Sequence, residues 1–245
     1  HLGLKHLTLK LDFLNPTGSF KDRQISTGMS KALEMNKNAV ITMSSGNVGA
    51  AVAAYAARVG FKNIILIPSI APEGKVIQIR QYGGNVVKIP SDSTEFISDL
   101  VEKASKAFNM ANLITAGIYN PFVIKGAKTI SYELFLQYEN LEKSMPDAII
   151  IPVGGAGLLS GVFEGFKELK DLGLVEEVPR MVGVQPEGCA PFVKAIQEDL
   201  TPDYLFQHPW KNINTISTAL ADDIPLDCHT GIPAVKISGG AAISV

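Results

Sequence analysis

Short apolar runs rich in β-branched residues alternate with longer stretches whose apolar positions recur at helical spacing. Residues 7–13 read as a strand that leads into a helix over 20–35. Residues 39–43 read as a buried strand, followed by a small-residue helix over 48–59 and a strand over 63–68. A helix near 74–82, a strand over 85–89 and a helix over 94–109 come next. In that last helix Phe96, Ile97, Leu100, Val101 and Ala104 mark one apolar face. Residues 111–121 look irregular, and one long helix is expected over 122–141. Residues 148–153 form the most strand-like run, with a helix over 158–172, a strand over 181–185 and a helix over 191–198. Beyond residue 200 the prolines Pro202, Pro209, Pro225 and Pro233 obscure the periodicity, and the chain reads as loop. Alternation of this kind predicts an α/β fold with mostly parallel sheets and right-handed crossovers.

Composition narrows the function classes. The 245 residues, 46% of them hydrophobic, suffice for one large domain or two modest ones. A formal charge of −2 without long charged runs gives no support for nucleic acid or membrane-surface binding. No apolar run approaches the roughly 20 residues of a spanning helix. Cys189 and Cys228 are far apart and outside any CxxC pair, as expected of reduced thiols in a cytoplasmic protein. His1, His6, His208 and His229 lack metal-ligand spacing, so no metal site is expected. Both ends read as cut, the chain opening at a strand edge and stopping at Ser244-Val245 inside another element.

Three stretches carry candidate chemistry. In Asn15-Pro16-Thr17-Gly18-Ser19-Phe20-Lys21-Asp22-Arg23, Pro16 and Gly18 force a turn just before the helix. Lys21 then falls in the first helical turn, against the preference of a helix N-terminus for anions. A solvated surface lysine is the plain reading; a desolvated amine able to form a Schiff base is the chemical one. The second stretch, Ser44-Ser45-Gly46-Asn47, sets hydroxyls and an amide at a helix start, suited to a carboxylate. Helix capping alone would account for one of these residues.

The third stretch is Gly154-Gly155-Ala156-Gly157-Leu158, where backbone N–H groups and the following helix suit a phosphate. Gly155, Gly157 and Gly161 also mimic a dinucleotide fingerprint. The next strand ends in Gln185 rather than an acid, which disfavours a nicotinamide cofactor. No Walker lysine follows the glycines. A Schiff-base lysine, a phosphate cradle and a carboxylate site are together what a pyridoxal phosphate enzyme acting on amino acids needs.

In this order the three stretches resemble the tryptophan-synthase-β, or fold type II, family of pyridoxal-phosphate-dependent enzymes. The nine-residue block around Lys21 is most similar to that of the threonine synthases. The resemblance implies two three-layer α/β domains: residues 30–125 as a smaller insertion, and 1–29 with 126–245 as a larger, C-terminally incomplete domain. It implies pyridoxal 5'-phosphate on Lys21, Phe20 beside the ring, and Asn47 on the phenolic oxygen. Gly154, Gly155, Ala156, Gly157 and Leu158 would hold the phosphate, and Ser44, Ser45 and Gly46 the substrate carboxylate. Asn120 and Lys125 would reach the substrate, Lys125 as a point charge because Val123 stands where many threonine synthases have an arginine. Nothing in the chain is assigned to the pyridine nitrogen. The implied reaction turns O-phospho-L-homoserine and water into L-threonine and phosphate, in a lyase that the family suggests is a homodimer. A serine/threonine dehydratase or other β-replacement enzyme is the nearest alternative. A nicotinamide oxidoreductase and a non-catalytic fragment or paralogue are the others.

Overall fold

The computed structural model describes residues 6–71, 73–91 and 93–245, without the side chain of Lys75. His1 and the opening of the chain lie outside the described residues. Residues 7–11 are irregular and Asp12–Leu14 wind into a 3-10 turn, in place of the strand expected over 7–13. A strand needs a neighbour for its ladder. This segment is instead pinned by side chains: both Nε and Nη2 of Arg23 donate to Asp12 at 2.9 Å. Arg23 also donates to both carboxylate oxygens of Glu133, at 2.7 and 2.8 Å.

The next elements are α1 (Lys21–Glu34), β1 (Ala39–Met43), α2 (Asn47–Val59), β2 (Lys62–Pro68), α3 (Glu73–Gln81), β3 (Val86–Ile89), α4 (Thr94–Ala107) and β4 (Ala111–Asn112). Their four strands form a parallel sheet in the order β3-β2-β1-β4. Residues 39–43 are a fully apolar run apart from Thr42, as expected of a strand covered on both faces. Val40 and Ile65 face the alanine-rich α2, while Ile41 and Leu66 face Ile97 and Val101 of α4. Small residues let α2 approach the strands closely. The core beneath α2 also takes Ile25 and Met29 of α1, so the helix bearing Lys21 is fixed against this sheet.

The chain continues through α5 (Pro121–Lys125), a 3-10 turn at Gly126–Lys128, α6 (Thr129–Asn140), β5 (Ala148–Pro152), α7 (Gly157–Asp171), β6 (Arg180–Gln185), α8 (Pro191–Gln197), α9 (Pro202–Gln207), α10 (Cys228–Ile237) and β7 (Ala241–Ser244). The single helix expected over 122–141 is thus divided. Gly126 passes so close to α1 that a Cβ there would stand 2.1 Å from the Arg23 carbonyl oxygen, and the chain tightens at that crossing. Beyond residue 200 the structure holds two helices and a strand where loop was expected. Pro202 opens α9 behind a Thr201 cap, and Pro233 sits inside α10, so both read as breakers yet interrupt nothing.

Strands β5, β6 and β7 form a second parallel sheet. Helices α7, α8 and α10 pack on one of its faces, where Gly183 of β6 makes room for Phe192, Val153 and Leu159. On the opposite face Ile150 and Ile243 are 64% and 45% exposed.

The α1 crossing is testable. Gly126→Ala should lower stability by about 1–3 kcal/mol, because backbone must move to admit the methyl group. Gly74→Ala, where a Cβ meets nothing within 4 Å, should be neutral or stabilising by up to about 1 kcal/mol. Urea denaturation of both variants checks this, and equal effects would refute the close-packed crossing.

Candidate active site

Strands β1, β2, β4 and β5 point their carboxyl ends at one cavity of about 600 Å³. The chain leaves β1 toward β2 on one side and returns to β4 on the other, the switch point where parallel sheets open a crevice. Lys21, the first residue of α1, lines this cavity. The turn before it is tied down by Asp22, whose buried carboxylate accepts the Thr17 N–H at 2.9 Å and its hydroxyl at 2.9 and 3.0 Å. Gly18 takes φ +85°, a conformation that a Cβ would strain.

The Lys21 amine lies 4.5 Å above the Phe20 ring. It donates to Gln24 Oε1 at 3.3 Å and to Thr115 Oγ1 at 3.4 Å. Desolvation holds its pKa below that of an ordinary lysine, against the upward pull of Asp222 and Asp227. The plain reading of a solvated surface lysine does not describe this residue.

The two other turns face the same cavity. Ser44 follows β1 and its hydroxyl accepts the Gly46 N–H at 3.1 Å, an ST-turn that leaves Asn47 exposed at the head of α2. Residues 154–158 follow β5, with Ala156 in the left-handed region at φ 71° and Gly157 opening α7. The structure therefore brings Phe20, Lys21, residues 44–47 and residues 154–158 around one space.

Asn120 and Lys125 stay outside the cavity. Asn120 caps α5, accepting the Phe122 N–H at 3.0 Å and donating to the Asn112 carbonyl at 2.7 Å. Lys125 turns outward to an ion pair with Glu164, and Val123 is packed into the core beside Gly28. Position 185, where a dinucleotide fold would place an acid, has another task here. Gln185 is wholly buried and accepts the N–H groups of Phe192 and Val193 at 2.8 and 3.1 Å.

Sequence reasoning missed Thr115, Gln24 and the segment 218–227, which closes one side of the cavity. Two carboxylates in that segment face Lys21. Asp222 opens onto the cavity, and the protein around it pushes its pKa up, only partly offset by Lys21. Asp227 is buried and its pKa is pushed up to about 6, mainly by desolvation. Its Oδ1 accepts the Gly117 N–H at 2.7 Å and its own N–H donates to the Gly155 carbonyl at 2.8 Å. It thereby ties the glycine loop to the segment after β4. The signal available in sequence was Asp222-Asp223 in an otherwise apolar stretch.

The family model for pyridoxal-phosphate-dependent enzymes matches residues 1–245. The chain belongs to that family. Among curated relatives, a threonine synthase of Methanosarcina acetivorans is 35% identical over all of this chain and 58% of its own length. One of Methanocaldococcus jannaschii is 36% identical, again over all of this chain and 58% of the relative. The chain thus spans 58% of the length of these relatives. Among solved structures, the processed form of a threonine deaminase from Solanum lycopersicum superposes with a TM-score of 0.74 at 25% identity, covering 96% of this chain and 63% of that one. The serine racemase of Dictyostelium discoideum gives 0.75 at 28% identity, covering 96% and 68%. The fold is that of the fold type II enzymes.

Pyridoxal 5'-phosphate is the cofactor of this family, and the residues present suit it. A depressed lysine amine faces the cavity, and bare glycine backbone lines its far wall. One group sits less easily with a phosphate, the Asp222 carboxylate that leans on that wall.

Asp227 gives a pH test. Its folded-state pKa of about 6 exceeds the ~3.9 of an unfolded aspartate, so the native state binds more protons between those values. Its contribution to stability is therefore greatest in acid and falls as pH rises from about 4 to 6. Asp227→Asn keeps an acceptor for Gly117 without the charge. Relative to wild type, it should gain on the order of 2 kcal/mol between pH 4 and 7, read by urea denaturation.

Proposed function

We propose that the chain forms the cofactor and substrate site of a threonine synthase, converting O-phospho-L-homoserine and water to L-threonine and phosphate. The observation that carries an amino-acid-converting reading is Lys21, a half-buried, desolvated amine of lowered pKa that opens onto the cavity. The narrower assignment is supported by relatives of that name aligned over the whole chain. Residues 30–125 would act as the smaller domain and the flanking segments as the larger one, with the site in the cleft between them.

When bound, pyridoxal phosphate supplies an aldehyde for covalent attachment and a ring that stores electrons drawn from the substrate. The chain's own residues do the rest. Backbone N–H groups of Gly154, Gly155, Ala156, Gly157 and Leu158 would hold the phosphate, and Phe20 would pack beside the ring. The Asn47 amide would hydrogen-bond the phenolic oxygen. Ser44, Ser45 and Gly46 bind the substrate carboxylate and so orient the Cα–H bond. Lys21 Nζ, kept partly neutral by desolvation, accepts the proton from Cα and moves protons at Cβ. Phosphate would depart from Cγ, and a proton taken from Cβ would be delivered to Cγ. Water would add its hydroxyl at Cβ, its proton balancing the departing phosphate, and return of the proton to Cα would complete L-threonine. Gln24 and Thr115 hold the amine in place between these transfers.

A second reading, dehydration of serine or threonine, draws on Lys125 being committed to Glu164 and on the likeness to a threonine deaminase. Product analysis separates the two. With O-phosphohomoserine the first reading expects threonine and inorganic phosphate in equal amounts, with no 2-oxo acid from serine or threonine. Release of 2-oxo acid and ammonia from serine or threonine, with phosphohomoserine untouched, would overturn it.

A further inference from the structure

The glycine loop suits a phosphate, yet an anionic side chain already lies against it. A Cβ placed on Gly154 would stand 2.7 Å from Asp222 Oδ2, and one on Gly155 would stand 3.4 Å from the same oxygen. Asp222 is carried there by the segment 218–227, whose carbonyl at Ala219 also lies 3.5 Å from the Gly154 position. That segment is anchored from behind. The Trp210 N–H donates to the Asp223 carbonyl at 2.9 Å, and the Asp227 N–H donates to Gly155 at 2.8 Å. The carboxylate is therefore held over the same backbone whose N–H groups would meet the phosphate.

We propose that Asp222 sets the affinity of the glycine loop for its phosphate, which enters only as this carboxylate takes up a proton or turns aside. The proposal rests on the reading that the loop receives the cofactor phosphate. The groups facing Asp222 are few. Lys21 reaches it from α1, Asp223 and Asp227 share its own segment, and the Cys189 thiol lies on the turn before α8. That thiol is pushed up to about 11 and stays neutral at ordinary pH. Desolvation by the protein around the cavity disfavours the charged carboxylate, Lys21 favours it, and Asp223 disfavours it. A phosphate monoester becomes a dianion above pH ~6, so raising the pH sets two like charges against each other. Affinity for the phosphate therefore falls with pH more steeply than it would without Asp222.

The test is an absorbance titration of the whole chain with pyridoxal 5'-phosphate and with pyridoxal, from mildly acidic to mildly alkaline pH. The ratio of the two dissociation constants isolates the phosphate, because the lysine chemistry is common to both ligands. Asp222→Asn removes a pull on Lys21 that acts on both ligands alike, so it should tighten pyridoxal phosphate relative to pyridoxal by about tenfold or more and flatten the pH dependence of the ratio. Asp223→Asn, whose carboxylate accepts the Ile224 N–H at 3.0 Å, should change the ratio far less. An unchanged or weakened preference for pyridoxal phosphate over pyridoxal in Asp222→Asn overturns the proposal. So does a parallel loss for both ligands, which would make Asp222 a structural support. If neither ligand gives a lysine-linked band in any variant, the cofactor reading of the cavity fails and the proposal falls with it.

Discussion

The arrangement depends on keeping one ammonium-forming group out of bulk water. Lys21 Nζ is enclosed at the start of α1, where the helix end itself disfavours a cation. Two acceptors, Gln24 Oε1 and Thr115 Oγ1, and the face of Phe20 hold it. Two carboxylates across the cavity, Asp222 and Asp227, offset part of the desolvation. Loss of water outweighs their attraction, so the amine loses its proton more readily than a surface lysine does. That balance is what would make Lys21 usable as a nucleophile and proton carrier.

Much of the rest fixes that balance in space. Ile25 and Met29 root α1 in the core of the first sheet, and Gly126 lets the α5–α6 corner lie directly on its backbone. Arg23 clamps the same helix to Asp12 and Glu133, which holds the Glu133 pKa down to about 2. The glycine loop reaches the cavity from the other sheet, and Asp227 stitches it to the segment after β4. Both sheets thus contribute a wall, each through turns at the carboxyl ends of parallel strands.

What could be read from the sequence follows from how local each signal is. Parallel strands such as Ala39–Met43 and Ala148–Pro152 are continuous apolar runs, and their bounds emerge directly, although only the first is covered on both faces. The three turns around the cavity were legible because glycine, proline and hydroxyl residues there are constrained by backbone geometry or capping. The strand expected over 7–13 failed because side-chain pattern says nothing of whether a partner strand exists. The helix over 122–141 divided at Gly126 for a tertiary reason, the passage of α1. Residues 218–227 gave no periodic signal at all, yet they supply both carboxylates that face Lys21. Asn120 and Lys125 were placed by resemblance alone, and the fold uses one as a cap and the other as a surface ion pair.

Lys21 is proposed as the amine to which the cofactor attaches. The direct measurement is borohydride reduction of the protein mixed with pyridoxal 5'-phosphate, followed by a peptide map of the stable adduct. A single labelled peptide carrying the modification on Lys21 is expected, with bleaching of the visible band. A label on another lysine, with Lys21 unmodified, would contradict it.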